Sequence, residues 1–122
     1  MSARGLHTAE EMAGCAEALL KKKTPLPITA NGLAEIVGTG GDGKGSFNIS
    51  SMSALVAASC GQPVAKHGNR AVSSKSGAAD FFENLGIKIM AEPEKTAELV
   101  TKTGFGFLMA PVYHSAMRLQ LQ

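Results

Sequence analysis

The chain has no tryptophan, and aromatic residues make up only 5% of its 122 positions. That leaves little to stack on nucleobases or to anchor a protein partner. A polyanion-coating surface is not expected either, because 12 lysines and arginines stand against 10 acids, a formal net charge of +2. No apolar run reaches the roughly 18 residues of a membrane-spanning helix, and the first residues, MSARGLHTAEE, are polar, unlike a signal peptide. A soluble cytoplasmic protein is expected, with no nucleic-acid and no membrane partner. The cysteines, Cys15 and Cys60, lie far apart on apolar helical patterns with no CxxC. They are expected to be buried free thiols in a reducing compartment rather than a disulfide or a metal site.

One further absence is local. From Asp42 the next acidic residue is Asp80, and the interval carries Lys44, Lys66, Arg70 and Lys75. Unopposed cations in one stretch point to an anion site. The same stretch opens on GTGGDGKGS, residues 38–46. As GxGxxG (Gly38, Gly40, Gly43) it matches a dinucleotide fingerprint, but the acid that should follow about 20 residues later, for the ribose, is missing. As GxxxxGK (Gly38, Gly43, Lys44) it nearly matches a triphosphate loop, but Gly45 stands where a magnesium-binding Ser or Thr is needed. What survives is the shared physics: glycines turn backbone N–H groups toward an anion ahead of a helix N-terminus.

The pattern around the loop predicts an α/β fold. Thr8 and Glu11 form a capping-box pattern before an amphipathic helix through Met12, Cys15, Ala16, Leu19 and Leu20. Lys21, Lys22 and Lys23 suit its negative end. Pro25 and Pro27 break the chain, and a linker runs to Asn31. A strand near Ile36 leads into the glycine loop, and a helix over 51–60, apolar all round and therefore buried, ends at Gly61. The order then recurs: PVAKHGN into SGAADFFENLG, IKIM into EPEKTAELVTKTG, GFLMAP into a segment from His114. Pro93 suits a first helical turn and Gly104 a C-terminal cap. Strands near Ile36, Val64, Ile87 and Phe107, alternating with helices, predict a parallel β-sheet with flanking helices, whose loops gather at the carboxyl ends of the strands.

The second loop, KHGNRAVSSKSG over 66–77, supplies Lys66, Arg70 and Lys75 with the hydroxyls of Ser73, Ser74 and Ser76. Ser76 also fits as the N-cap of the helix carrying Phe81, Phe82 and Leu85. Lys66 and Arg70 are expected to contact phosphate oxygens directly, since like charges so close repel unless an anion joins them. Two anion loops on adjacent strands suit a ligand with separated phosphate groups, such as a 5-phosphorylated sugar pyrophosphate. His7 and His114 are lone histidines, read as surface or capping residues.

GTGGDGKGSFNISS and KHGNRAVSSKSGAAD closely resemble the two signature segments of the anthranilate phosphoribosyltransferases, within glycosyltransferase family 3. GFGFLMAPVYHSAM resembles a later segment of that α/β domain, and the opening helix the end of the family's helical domain. The resemblance implies two parts: 1–31, the end of the helical domain and linker, and 32–122, a partial phosphoribosyl pyrophosphate-binding domain of the nucleoside phosphorylase and phosphoribosyltransferase type. The implied activity, in tryptophan biosynthesis, transfers phosphoribose to anthranilate and releases pyrophosphate, with Mg2+ on the phosphates. The implied phosphoribosyl pyrophosphate contacts are Gly38, Gly41, Asp42, Ser46, Asn48, Ile49, Ser50, Ser51, Lys66, His67, Gly68, Asn69, Arg70, Ala71, Val72, Ser73 and Ser74. Ser50 is the implied magnesium ligand, and Gly38, His67 and Asn69 the implied anthranilate contacts. Ser46 stands where threonine is commoner, and Ala78 where the family often has serine.

Departure of pyrophosphate leaves an oxocarbenium-like sugar, so the implied tasks are to neutralise the leaving group and hold the amine near the anomeric carbon. No protein nucleophile or catalytic residue is assigned; His67 is read as positioning the acceptor, and Asp42 as orienting its loop or accepting a ribose hydroxyl. The family chain is far longer. Most of its homodimer helices, an anthranilate-binding arginine and a magnesium-binding Asp-Glu pair have no counterpart here, so the chain is expected to be an internal fragment, inactive alone. A phosphate-binding fragment or pseudoenzyme, a pyrimidine nucleoside phosphorylase-like protein, and a piece that folds only with a complementary chain are the alternatives.

Overall fold

The structure is a computed structural model that describes residues 8–28, 31–38, 47–71 and 76–114. Eight elements follow in order: α1 (Ala9–Lys21), β1 (Ala34–Val37), α2 (Ile49–Ser59), β2 (Val64–Gly68), α3 (Ala78–Asn84), α4 (Pro93–Thr103), β3 (Phe105–Met109) and α5 (Ala110–Tyr113). The strands form a parallel sheet in the order β1-β2-β3. Its register aligns Val37 with His67 and His67 with Leu108, so all three strands end on one edge.

Alternation along the strands divides the core in two. On one face Phe107 and Met109 pack with Ala79 and Phe82 of α3 and with Ile89, and Leu55 of α2 closes the layer. Phe82 is fully buried and meets the rings of Phe81, Phe105 and Phe107 at centroid distances of 5.1–5.2 Å. Burying such a side chain stabilises by about 1.5–3 kcal/mol. On the other face Ala65 and Leu108 pack with Tyr113, Leu26 and Leu33. Gly106 lets α4 approach β3 there, since an added Cβ would lie 2.5 Å from Val100 Cγ2 and 3.0 Å from Thr96 Cγ2.

The capping signals are realised. Thr8 Oγ1 accepts from Glu11 N at 3.2 Å, and Thr8 N donates to Glu11 Oε2 at 2.9 Å. Pro93 opens α4, and Gly104 closes it with φ 76°, in the left-handed region where glycine has no Cβ penalty.

Four expectations are corrected. IKIM forms no strand: the period-two pattern of Ile87 and Ile89 is spent on one inward plug, with Ile89 buried in the Phe82 cluster. α2 is not buried all round; Ser51 and Ala54 face the sheet, while Ile49, Met52 and Val56 are exposed. The cysteines are free but exposed, because Cys60 ends α2 beyond its packed turn and α1 buries no residue at all. The N-cap of α3 is Gly77, not Ser76; Asp80, three residues into the helix, accepts from Gly77 N at 2.8 Å.

Candidate functional site

Both loops leave the carboxyl edge of the sheet, and a side chain joins them. Asn48 is the N-cap of α2 but makes no capping bond there; its Nδ2 instead donates to Gly77 O, at the start of α3, at 3.2 Å. The N-termini of α2 and α3 are thereby held side by side. The first turn of α2 has no acid, and the helix dipole there favours an anion.

Within the first loop Gly38 is exposed at the end of β1, and a Cβ there would lie 2.9 Å from Ser50 Oγ. Ser50 thus faces the strand end. The Ser51 hydroxyl beside it is fully buried and has no hydrogen-bond partner among the described residues. Gly41, Asp42 and Ser46 lie outside the described residues, as do Val72, Ser73 and Ser74 of the second loop, and His7.

In the second loop the two described cations, Lys66 and Arg70, are already engaged. Lys66 is buried on β2, 1% exposed, and its Nζ donates to His67 O at 2.6 Å. Burial pushes its ammonium below the usual lysine range, and Glu35 partly restores it. Arg70 is exposed and forked onto α3: its guanidinium donates to Glu83 at 2.7 and 3.1 Å and to Asp80 Oδ1 at 3.1 Å. Those bonds raise its pKa further and hold the Glu83 carboxyl below its ordinary range. Asp80 Oδ2 also accepts from Ala71 N at 3.0 Å, so one carboxylate grips both ends of the 71–77 segment. These backbone bonds, Ala71 first, hold the Asp80 carboxyl low. The reading of Lys66 and Arg70 as unopposed is therefore corrected: the acids missing from the local sequence arrive from β1 and α3. Asn69 closes the turn, with Oδ1 accepting from Arg70 N at 2.8 Å and its carbonyl from Ala79 N at 3.1 Å.

His67 is not alone either. Its Nδ1 lies 3.1 Å from Glu35 Oε1 on β1, while its Nε2 is shut from solvent without a partner among the described residues. His114 stacks on it at 5.1 Å and 20°, which corrects the reading of His114 as a lone surface histidine. Burial, with His67 and Lys23 nearby, lowers the His114 pKa. Glu35, Asp80, Glu83 and His114 were all missed in the sequence. Only Asp80 left a signal, an acid at the third position of a helix that starts on glycine.

The described residues do not by themselves fit a magnesium ion. Ser50 offers one neutral hydroxyl, and no group of three His, Cys, Asp or Glu among the described residues gathers at a metal's distance. Also among the described residues, no helix is long and apolar enough to cross a membrane.

A family model described as "Glycosyl transferase family, a/b domain" matches residues 30–122. A curated anthranilate phosphoribosyltransferase of Shouchella clausii is 52% identical over 118 residues, covering 97% of this chain and 34% of that protein. The crystal structure of the anthranilate phosphoribosyltransferase of Thermus thermophilus superposes with a TM-score of 0.82 at 50% identity, over 97% of this chain and 36% of the other. The Saccharomyces cerevisiae enzyme, solved with phosphoribosyl pyrophosphate (PRPP) and Mg, gives 0.78 at 35% identity, over 91% and 31%. The chain thus spans about a third of the length of the relatives it matches.

Proposed function

The chain belongs to the glycosyl transferase family through its α/β domain, and we propose that it carries the PRPP-binding loops of an anthranilate phosphoribosyltransferase of tryptophan biosynthesis, acting in the cytoplasm. The observation that carries this reading is the joined edge, where Asn48 ties the start of α2 to the start of α3 over the ends of β1 and β2. The start of α2, which carries no acid, lies at that edge, and the buried Lys66 ammonium rests on the His67 carbonyl at the end of β2, the means to hold an anion there.

In this reading the first loop, Gly38, Gly41, Asp42 and Ser46 with residues 48–51, holds one end of PRPP. Residues 66–74 hold the other, and Gly38, His67 and Asn69 line the anthranilate pocket. Ser50 would offer one hydroxyl to a Mg2+ held by the substrate's phosphate oxygens, which would neutralise charge on the leaving group. Residues 1–31 end a helical unit and 32–122 form part of the α/β domain. The exposed Met12, Leu19 and Leu20 of α1 suit a helical homodimer contact. Transfer proceeds as pyrophosphate leaves and the arylamine attacks the anomeric carbon, and the protein's contribution is placement and charge neutralisation.

The test is a chimera in which this chain replaces the matching 118 residues of the Thermus thermophilus relative. Anthranilate consumption dependent on PRPP and Mg2+ is expected. A folded chimera that binds PRPP as the relative does, yet consumes no anthranilate, would restrict the reading to phosphate binding. One that binds no PRPP would overturn it.

A further inference from the structure

We propose that Glu35 is a positioning residue for the acceptor: it fixes the proton of His67 on Nδ1, leaving the buried Nε2 as a hydrogen-bond acceptor for the amine of an aromatic amino acid. The inference rests on the reading of the site as one that holds an arylamine beside a sugar pyrophosphate.

Its basis is a pair of observations on one ring. Glu35 Oε1 stands 3.1 Å from His67 Nδ1, and an ionised carboxylate only accepts, so Nδ1 must donate. The other nitrogen is buried and has no hydrogen-bond partner among the described residues. In the neutral ring it is then a bare lone pair, an unsatisfied buried acceptor that a donor would stabilise. The ring of His114 stacks on that of His67 at 5.1 Å. Among the described residues, the groups that face the ring are Glu35 from β1, Tyr113 edge-on at 6.0 Å, and His114, while the Lys66 ammonium lies on the His67 backbone carbonyl. Lys23 bridges His114 through the backbone.

An acceptor with this orientation discriminates between the two polar ends of an ortho-amino benzoate. The amine has N–H to give and the carboxylate has none, so the amine is drawn to Nε2 and the carboxylate is turned away. Glu35 reaches His67 because the two share a sheet face: Glu35 pairs with Ala65, two residues before His67. The carboxylate is half-exposed and touches the acceptor only through the imidazole.

Nitrogen NMR of ring-labelled histidine in the 122-residue chain reads the tautomer directly. His67 is expected as the Nδ1–H form; Glu35→Gln is expected to lose that preference and Glu35→Asp to keep it. Adding anthranilate should shift the Nε2 resonance and benzoate, which lacks the amine, should not. Glu35→Gln should weaken anthranilate binding about three- to ten-fold. A wild-type proton on Nε2 overturns the inference even if the Gln variant does not fold, as does an unchanged tautomer in a folded Gln variant, or an equal response to benzoate. If neither anthranilate nor pyrophosphate binds, the parent reading fails and the acceptor role falls with it, while the tautomer separately reports whether Glu35 sets the ring.

Discussion

The two loops on the carboxyl edge hold charge in opposite ways. In the first, among the described residues, backbone and hydroxyls do the work: Gly38 lies close to Ser50, Ser51 is buried, and the start of α2 carries no acid. In the second, positive side chains are present and already committed, Lys66 to the His67 carbonyl and Arg70 to Asp80 and Glu83. An anion entering the first meets donors that are set by the fold. An anion entering the second competes with carboxylates. A count of cations along a sequence therefore overstates how many are ready to bind.

The sharpest way to break the comparison is to add one methyl group to each loop. At Gly77 a Cβ would overlap the backbone of Ala71 and lie 2.7 Å from the Arg70 carbonyl carbon and 2.8 Å from Asn69 O. Backbone has no rotamer to relieve this, so Gly77→Ala should cost about 3 kcal/mol of stability, visible as a lowered denaturant midpoint. At Gly38 the new Cβ meets a hydroxyl that can turn aside. Gly38→Ala should leave the midpoint nearly unchanged and weaken pyrophosphate binding. Equal destabilisation by both would show that the loops are held alike.

Lys66 and Arg70 separate buried from paired charge. Lys66 is 1% exposed with one backbone acceptor and its ammonium destabilised by burial. A phosphate oxygen would restore what desolvation took away, so Lys66→Met should weaken pyrophosphate about ten- to hundred-fold. Arg70→Ala should weaken it much less, because the guanidinium already has two carboxylates. Calorimetric titration at fixed ionic strength decides, and a larger loss from Arg70→Ala would reverse the assignment.

Much of this edge was legible in the sequence, and the limits have a physical cause. Glycine, proline and capping residues announce local backbone geometry, which is why the opening helix, the turn at Gly104 and the strands at Ile36, Val64 and Phe107 could be read directly. IKIM misled because alternation reports which side chains point inward, and an unpaired plug such as Ile89 shows the same alternation as a strand. Glu35, 32 residues from His67, and Glu83, 13 from Arg70, could not be found by proximity in sequence. Their pairing depends on register and on the packing of α3, which become defined only when the sheet closes.

Asp80 tests whether the second loop is built by its carboxylate. It accepts from Ala71 N and Gly77 N and pairs with Arg70. Asp80→Ala should cost about 1–2 kcal/mol, as loss of a helix-capping acceptor does. The folded-state pKa is depressed below its ordinary 3.8. This stability is therefore full above the unfolded value and is lost as pH falls through the folded one. The parent and Asp80→Ala should differ in melting temperature at pH 7 and converge in strong acid. A difference that persists unchanged into strong acid would assign the effect to packing instead.

The smallest expected effect is the most specific. If Arg70 is held back by its acids, removing one acid charge should release it, and binding should improve although no contact to the ligand has been added. Glu83 is the suitable position, because it contributes two of the three bonds to the guanidinium and, unlike Asp80, makes no bond to the loop backbone among the described residues. Glu83→Gln keeps the size and an accepting oxygen while deleting the charge. Exposed pairs of this kind are weak, so pyrophosphate affinity should rise only about two- to five-fold, and the gain should shrink as salt screens both the pair and the ligand. The double variant Glu83→Gln with Arg70→Ala should bind as Arg70→Ala does, since the released group is gone. A gain that survives in the double variant would trace to the general loss of a negative charge near the edge. No gain in the single variant would mean that Arg70 stays on α3 whether or not an anion is present, as an anchor of the loop that never serves as its ligand.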